Sequence, residues 1–387
     1  MSVDIIPVET SRELRRFIDL PWQLYDRAKY PQWVPPLRIA VHDALNTKAN
    51  PFYRTANRQL FLALRNGKPV GRIGAIENRA HNDFHRDRVG FFGFFECEND
   101  QSTANALFAA AETWLGGRGR DTMRGPMNPS TNHECGLLID GFEAHPMIMT
   151  TWNPAYYPAL LERAGFTKAK DLLAYHFDVS ADPPSTLPER YRALAERARI
   201  GKSLTFRDLN LKDFKNEVER CWEIYNSAWE KNWGFFPMSR ESFLHEAQVL
   251  KYIVNPRLAF IAEVDGEPAG CMIIVPDFHH AFKAIGNGRL FPTGLFTLLS
   301  AKRRIRTGRL MILGAKEEYR RHGIFALFAH EVERRYHEYG WTVMEASWIL
   351  EDNDKLNRPL RDIIGSREYR RWRIYDRQIP LPAPEAS

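Results

Sequence analysis

Apolar residues flank Asn66-Gly67 on both sides in the run Phe61-Leu-Ala-Leu-Arg-Asn-Gly-Lys-Pro-Val-Gly71, a pattern that predicts two strands joined by a two-residue turn. It returns 199 residues later as Phe260-Ile-Ala-Glu-Val-Asp-Gly-Glu-Pro-Ala-Gly270, with Phe, Ala, Gly, Pro and Gly at the same offsets. Each hairpin is followed by another apolar strand and a long amphipathic helix. These are Val89–Phe95 and Ser102–Leu115 in the first half, Leu310–Gly314 and Gly323–Tyr339 in the second. Gly165 and Tyr175 close the first half as Gly365 and Tyr375 close the second, 200 residues on. The order predicts α/β domains built on a mixed sheet, with one fold used twice in tandem.

The Pro-rich stretch Ala181-Asp-Pro-Pro-Ser and the charged run after it predict a linker that becomes a packing helix. The expected division is therefore 1–180, a linker helix over 181–203, and 204–387. Pro21-Trp22, Tyr30-Pro31 and Trp33-Val34-Pro35-Pro36 predict an irregular opening segment that wraps over a domain. A chain of 387 residues, 44% hydrophobic and 26% charged, is long enough for a full core in each domain.

No apolar run approaches the roughly 18 to 20 residues of a membrane span, and the amino terminus, with Asp4 and Glu9, lacks a signal-peptide pattern. The expectation is a cytoplasmic protein. Its four cysteines lie far apart without a C-x-x-C pair, which argues against a zinc knuckle or a disulfide framework, and no metal is expected. The net charge of +6 favours anionic partners: a phosphorylated cofactor, an acidic lipid or nucleic acid.

The sharpest chemical signal is Leu310-Met-Ile-Leu-Gly-Ala-Lys-Glu-Glu-Tyr-Arg-Arg-His-Gly323-Ile-Phe-Ala-Leu-Phe328, an apolar strand, a basic loop and a helix start. The first N–H groups of a helix have no intrahelical acceptor and the helix dipole is positive there, so with Arg320, Arg321 and His322 alongside, a diphosphate fits. Gly323 lets backbone approach a ligand with no Cβ between them. At these residues the chain resembles the GNAT superfamily of acyl-CoA-dependent N-acyltransferases, whose R/Q-x-x-G-x-G/A signature cradles the coenzyme A pyrophosphate. Arg320-x-x-Gly323 fits; Phe325 stands where Gly or Ala is usual, and Ala326 supplies the small residue one place late. The resemblance implies an acyl-CoA site formed by Leu313, Gly314, Ala315, Arg320, Arg321, His322, Gly323, Ile324, Phe325 and Ala326. In the first half the equivalent loop, Phe95-Glu-Cys-Glu-Asn-Asp-Gln101, is acidic and lacks glycine, so Glu96 and Glu98 would repel a pyrophosphate. The polar insertion Gly125–Gly136, with Asn128, either lines a substrate cleft or is a well-bonded surface loop.

GNAT chemistry needs a base for the ammonium proton, donors for an oxyanion and an acid for the leaving thiolate. Glu345, a carboxylate in the apolar run Val343–Leu350, is the first candidate base, with an ion pair to an arginine as the structural alternative. Asp277 with His279-His280 is the next. The acid in this superfamily is often a tyrosine about one turn before the closing glycine; here Arg361 occupies that place and Leu161 its first-half equivalent. Tyr225 and Trp229 share a helix face and, with Trp233, sit where GNAT folds cover the acceptor, although core packing is the commoner fate of such residues.

Finally, Leu290–Leu299 is apolar, too short to span a bilayer, and runs into Lys302, Arg303, Arg304, Arg306 and Arg309. Such a segment suits the headgroup region of an anionic membrane, or a helix buried between domains. The tandem plan and this segment resemble the bacterial ceramide synthase group, which implies a long-chain acyl-CoA donor, a sphingoid-base acceptor and a place at the inner face of the membrane. Two other readings stay open: a Fem-like transferase that takes its aminoacyl group from tRNA, against which Arg320–Gly323 count, and a non-catalytic acyl-CoA or lipid binder.

Overall fold

Both predicted hairpins form, and both turn on the predicted dipeptide. Asn66 and Gly67 have φ of 51° and 72°, Asp265 and Gly266 of 51° and 86°, the left-handed pair that a two-residue turn between twisted strands requires. The computed structural model describes residues 3–178, 180, 186–200, 204–320 and 322–380.

The first half runs β1 (Asp4–Pro7), α1 (Ser11–Leu24), α2 (Arg38–Ala44), β2 (Ala56–Arg65), β3 (Lys68–Asn78), α3 (Arg79–His85), β4 (Val89–Cys97), α4 (Gln101–Gly116), β5 (Thr122–Gly125), β6 (Met127–Asn128), β7 (Glu134–Cys135), β8 (Leu137–Asp140), α5 (Tyr157–Arg163) and β9 (Thr167–Asp178). The second runs α6 (Glu189–Ile200), β10 (Leu204–Asp208), α7 (Phe214–Trp229), α8 (Arg240–Ile253), β11 (Ala259–Val264), β12 (Glu267–Pro276), α9 (His279–Ile285), α10 (Gly294–Ala301), β13 (Thr307–Ala315), α11 (Ile324–Tyr339), β14 (Val343–Leu350), α12 (Asp354–Arg358) and β15 (Arg367–Gln378).

The opening segment is more regular than its prolines suggested. Pro21 lies inside α1, in the last turns of a helix that starts from a complete capping box between Thr10 and Glu13 and buries Phe17, Ile18 and Leu20. Apolar periodicity and a strong cap outweigh one lost N–H. The stretch Tyr30–Leu37 is irregular, as expected.

Contacts divide the chain into two units that differ from the division by sequence. One comprises Met1–Leu172, Ala281–Leu295 and Arg370–Ser387; the other comprises Leu173–His280 and Phe296–Tyr369. The closing strands are therefore exchanged. In the first unit β15 pairs antiparallel with β5, Tyr375 opposite Gly125, and Tyr375 is buried in that unit's core. Arg124 forks onto Asp376 with two bonds of 2.8 Å. Leu173, Tyr175 and Phe177 of β9 are buried in the core of the second unit instead.

Within each unit one helix covers the sheet. On α4, Ala104, Leu107, Phe108, Ala111 and Leu115 are buried at helical spacing against Ile73, Ala75 and Phe92. Gly71 and Gly90 make room for Leu107 and Leu115, which a Cβ would meet at 2.7 and 2.5 Å. On α11, Ile324, Leu327, Phe328, Val332 and Tyr336 do the same against Phe260, Leu310 and Met344. Burial of each large side chain contributes about 1.5–3 kcal/mol, which fixes where the first turn of each helix stands.

Candidate active site

In the second unit, β13 and β14 run parallel but pair over four residues only, from Thr307 opposite Val343 to Leu310 opposite Ala346. β13 continues to Ala315 and β14 to Leu350, so the two strands part after that last pair. Met311, Ile312 and Leu313 become partly exposed where the partner strand leaves, which opens the β14 side of their backbone to a ligand.

The loop beyond β13 leads to the opening of α11. Gly323 caps this helix with φ of 78°, and among the described residues no side chain caps the first N–H groups. The positive φ favours glycine here, and a Cβ at Gly323 would also crowd Ala198 of α6 at 3.1 Å. Ile324 and Ala326 face the core, whereas Phe325 is 40% exposed and turned outward from it. His322 is exposed, its Nδ1 3.2 Å from the Tyr319 carbonyl, and Arg321 lies outside the described residues. Arg320 takes a different part from the one its motif suggests. Its Nε and Nη2 donate to the carbonyls of Ala315 (3.2 Å) and Ala228 (3.0 Å), tying the loop to the last turn of α7. Gly314 is covered by Trp229, whose ring a Cβ would meet at 2.3 Å.

Beside the parting of the strands lies a buried polar cluster. Glu345, fully buried, sits opposite Arg309 in the β13–β14 register. Ser347 donates to Glu345 Oε1 at 2.5 Å, and Tyr369 donates to Oε2. Arg309 Nε donates to Ser347 Oγ at 2.9 Å, and its guanidinium lies 4.9 Å from the centre of the Trp348 ring. The His176 ring, brought by the exchanged half of β9, packs edge-on against Tyr369 at 5.3 Å. Both Glu345 oxygens thus accept from hydroxyls that can carry protons toward or away from a reacting group.

Val275 of β12 stands opposite Arg309, and Asp277, just past the end of β12, donates its N–H to the Thr307 carbonyl at 2.9 Å, two residues before Arg309. Asp277 and His279 are both buried, with His279 Nδ1 2.8 Å from Asp277 Oδ1. His280 is exposed. The structure thus brings the two sequence-predicted carboxylates, Glu345 and Asp277, to one end of one sheet. Arg361 is not part of this cluster's bonding: it is exposed and paired with its neighbour Asp362 at 2.9 Å. Tyr225 and Trp229 stack at 4.9 Å, with Phe235 and Phe243 packed on Tyr225, so this group forms an aromatic wall between α7 and α8; Trp233 is half-buried. Among the described residues no group of His, Cys, Asp and Glu has the makings of a metal site.

Across 385 residues, 98% of this chain and 98% of the relative, the sequence is 34% identical to the bacterial ceramide synthase of Caulobacter vibrioides. The chain belongs to the bacterial ceramide synthase family. It is 34% identical over 373 residues to protein YghO of Escherichia coli, covering 95% of this chain and 93% of that one. No protein-family model matches it. Among solved structures its fold resembles a tandem GNAT protein from the clavulanic acid biosynthesis pathway, with a TM-score of 0.60, 11% identity, and 99% and 100% of the two chains covered. It also resembles a GCN5-related N-acetyltransferase from Sphaerobacter thermophilus, with a TM-score of 0.51, 13% identity, and 98% and 97% covered. This member of the ceramide synthase family is an N-acyltransferase with two tandem GNAT folds.

The first GNAT fold of this family member has the same parting of strands, since β4 and β5 pair only from Val89 to Phe91, but its site is closed. Asn128 Oδ1 accepts from Phe94 N at 2.6 Å, and a Cβ on Gly93 would meet the Met127 carbonyl at 1.6 Å, so β6 fills the gap. The opening of α4 is capped by its own Asp100, which accepts from Thr103 N at 2.9 Å. Glu98 bonds Thr103 and Arg65. Glu96 turns inward, where Tyr25 and Tyr157 donate to Oε2, and Arg72 Nη2 lies 3.5 Å from Oε1. Burial raises the Glu96 carboxyl, Tyr25 and Tyr157 above their ordinary ranges and lowers Arg72. Glu96 therefore does not face a ligand in the way its loop position suggested.

Sequence reading placed Arg309 among the headgroup-facing cations, whereas the structure buries it with its Nε on Ser347, and it missed the parts of Ser347, Tyr369 and His176. Tyr369 and His176 lie on the two closing strands, and no local motif marks a residue that joins a site only when those strands are placed.

Proposed function

We propose that this acyltransferase moves a long-chain acyl group from acyl-CoA to the primary amine of a sphingoid-type base. One observation carries the donor reading: among the described residues the opening of α11 offers N–H groups with no side-chain cap beside a basic loop, while the matching opening of α4 is capped by Asp100. The N–H groups of Gly323, Ile324, Phe325 and Ala326 would hold the diphosphate, and the backbone of Met311–Leu313 the arm that follows it. Arg320 serves by fixing the loop. The acceptor reading follows from the relative named a bacterial ceramide synthase. The aromatic wall of Tyr225 and Trp229 supports an acceptor with an apolar chain.

In this reading Glu345 takes the proton from the ammonium, directly or through Ser347. The amine nitrogen then bonds the thioester carbon while Arg309 offsets the developing negative charge; the carbon–sulfur bond breaks, Tyr369 protonates the departing sulfur, and the second proton shed by the nitrogen returns to Tyr369. Tyr369 so fills the role that the missing tyrosine before Gly365 left vacant.

The test is thiol release by the purified protein with short and long acyl-CoAs against sphingoid bases and simple amines, repeated with Phe325→Asp. An exposed carboxylate at the second position of α11 favours the helix through its dipole, as Asp100 does in the first half, yet repels a diphosphate. The expected result is activity with long chains, at least a tenfold rise in donor KM for the variant, and an unchanged melting temperature. An unchanged donor KM places the diphosphate elsewhere; activity only with aminoacyl-tRNA refutes the acyl-CoA donor.

A further inference from the structure

A helix that covers a sheet turns its apolar stripe inward. α10 does the opposite: Phe296 is 72% exposed and Leu299, one turn on, 59%. Lys302 Nζ donates to the carbonyl of Tyr252 at 3.1 Å, which fixes the end of α8 beside the end of α10. There Tyr252 is 78% and Val249 55% exposed. Lys302, Arg303, Arg304 and Arg306 follow α10 directly, all exposed, and Lys251 adds a cation from α8. Between Asp277 and Glu317 the chain carries eight lysines and arginines and no carboxylate. A soluble surface interleaves both signs around single apolar residues; here exposed apolar side chains run directly into a stretch of cations, with Glu246 of α8 on its flank.

We infer that this face, α10 with the end of α8, docks on an anionic bilayer. Phe296, Leu299 and Tyr252 enter the boundary between headgroups and acyl chains, and Lys302–Arg306 meet lipid phosphates. The inference deepens the proposed function and rests on it for its purpose, the uptake of a membrane-borne amine. Arg306 is three residues from Arg309, a span of at most about 10 Å, so the surface ends close to the Glu345 cluster.

The experiment is flotation of the full-length protein with vesicles of phosphatidylcholine alone and of phosphatidylcholine with phosphatidylglycerol, at low and high salt. The variants are Phe296→Ser/Leu299→Ser and Arg303→Glu/Arg304→Glu. Binding is expected only to the anionic vesicles, weakened by salt, and about fivefold weaker for each cation removed. The serine pair should abolish flotation without lowering the melting temperature. Equal binding to both vesicle types, no binding to either, or binding unaffected by both variants overturns the inference. So does sedimentation showing a dimer that the serine pair dissociates, since a second copy would then cover the patch. Turnover of a water-soluble amine separates the two proposals. Loss of flotation with that turnover intact removes the surface alone, whereas flotation without any turnover in the parent removes the function.

Discussion

Replacing Glu345 by Gln keeps the shape of the site and removes its charge. The amide oxygen can still accept from Ser347 or Tyr369, and the amide N–H can donate to the other hydroxyl, so no buried polar atom is orphaned. Two bonds to a charged acceptor become neutral, a loss of about 1 kcal/mol each, or about 2 kcal/mol of stability. At about 2–4 °C per kcal/mol for a unit of this size, the melting temperature should fall by roughly 4–8 °C, leaving the protein folded at assay temperature. The effect on the reaction is larger. A general base contributes about 10²- to 10⁴-fold, equal to about 3–5 kcal/mol of barrier, so kcat should drop by at least a hundredfold. Thiol release at saturating substrates reads the loss of kcat, and a melting curve reads the loss of stability. A variant with kcat within about twofold of the parent would refute the assignment. Glu345 would then be a structural counter-ion of Arg309, and the proton would go to the Asp277–His279 pair.

Three further outcomes are expected. Tyr369→Phe should lower kcat about a hundredfold while leaving both KM values in place; an unchanged kcat would remove it as the acid. Glu96→Ala should cost about 3 kcal/mol, because Arg72 is left buried without its carboxylate, yet leave donor KM unaltered; a changed donor KM would show that the first half handles the substrate. In the first unit, burial alone would raise Asp87, but hydrogen bonds from His81 and Asn82 outweigh it and hold the carboxyl at about 2, while burial lowers His81. In both cases the unfolded chain binds more protons, so stability falls as pH drops, below about 6.5 for His81 and from about 3.8 toward 2 for Asp87, the latter worth at most about 2 kcal/mol. Urea midpoints across pH should show this decline, and Asp87→Asn should flatten its lower part.

Local chemistry was the legible part of this chain. Asn66-Gly67, Asp265-Gly266 and Gly323 announce turns because so few residues tolerate positive φ, and the spacing on α4 and α11 announces which faces are buried. The role of Arg320 was not legible, since a guanidinium that ties down two carbonyls and one that grips a phosphate look alike in a motif. Glu96 misled for a related reason: its loop suggested exposure, and only the packing of α1 and α5 brings Tyr25 and Tyr157 onto it. Asn128 was visible as a polar residue in a polar insertion, but its bond to Phe94 N depends on β6 entering the gap beside β4. The Glu345 cluster draws on β13, β14, β15 and the far half of β9, a convergence that no single stretch encodes.

The traded closing strands make the two copies inseparable. A gene cut within 181–203 would yield one fragment lacking Tyr375 and the residues around it, and another lacking Leu173, Tyr175 and Phe177, each with a slot where a neighbour should be. Neither piece should fold alone, yet mixing them should restore the enzyme. Duplication here has bound the two copies by mutual dependence, so that neither can be lost without unmaking the core of the other.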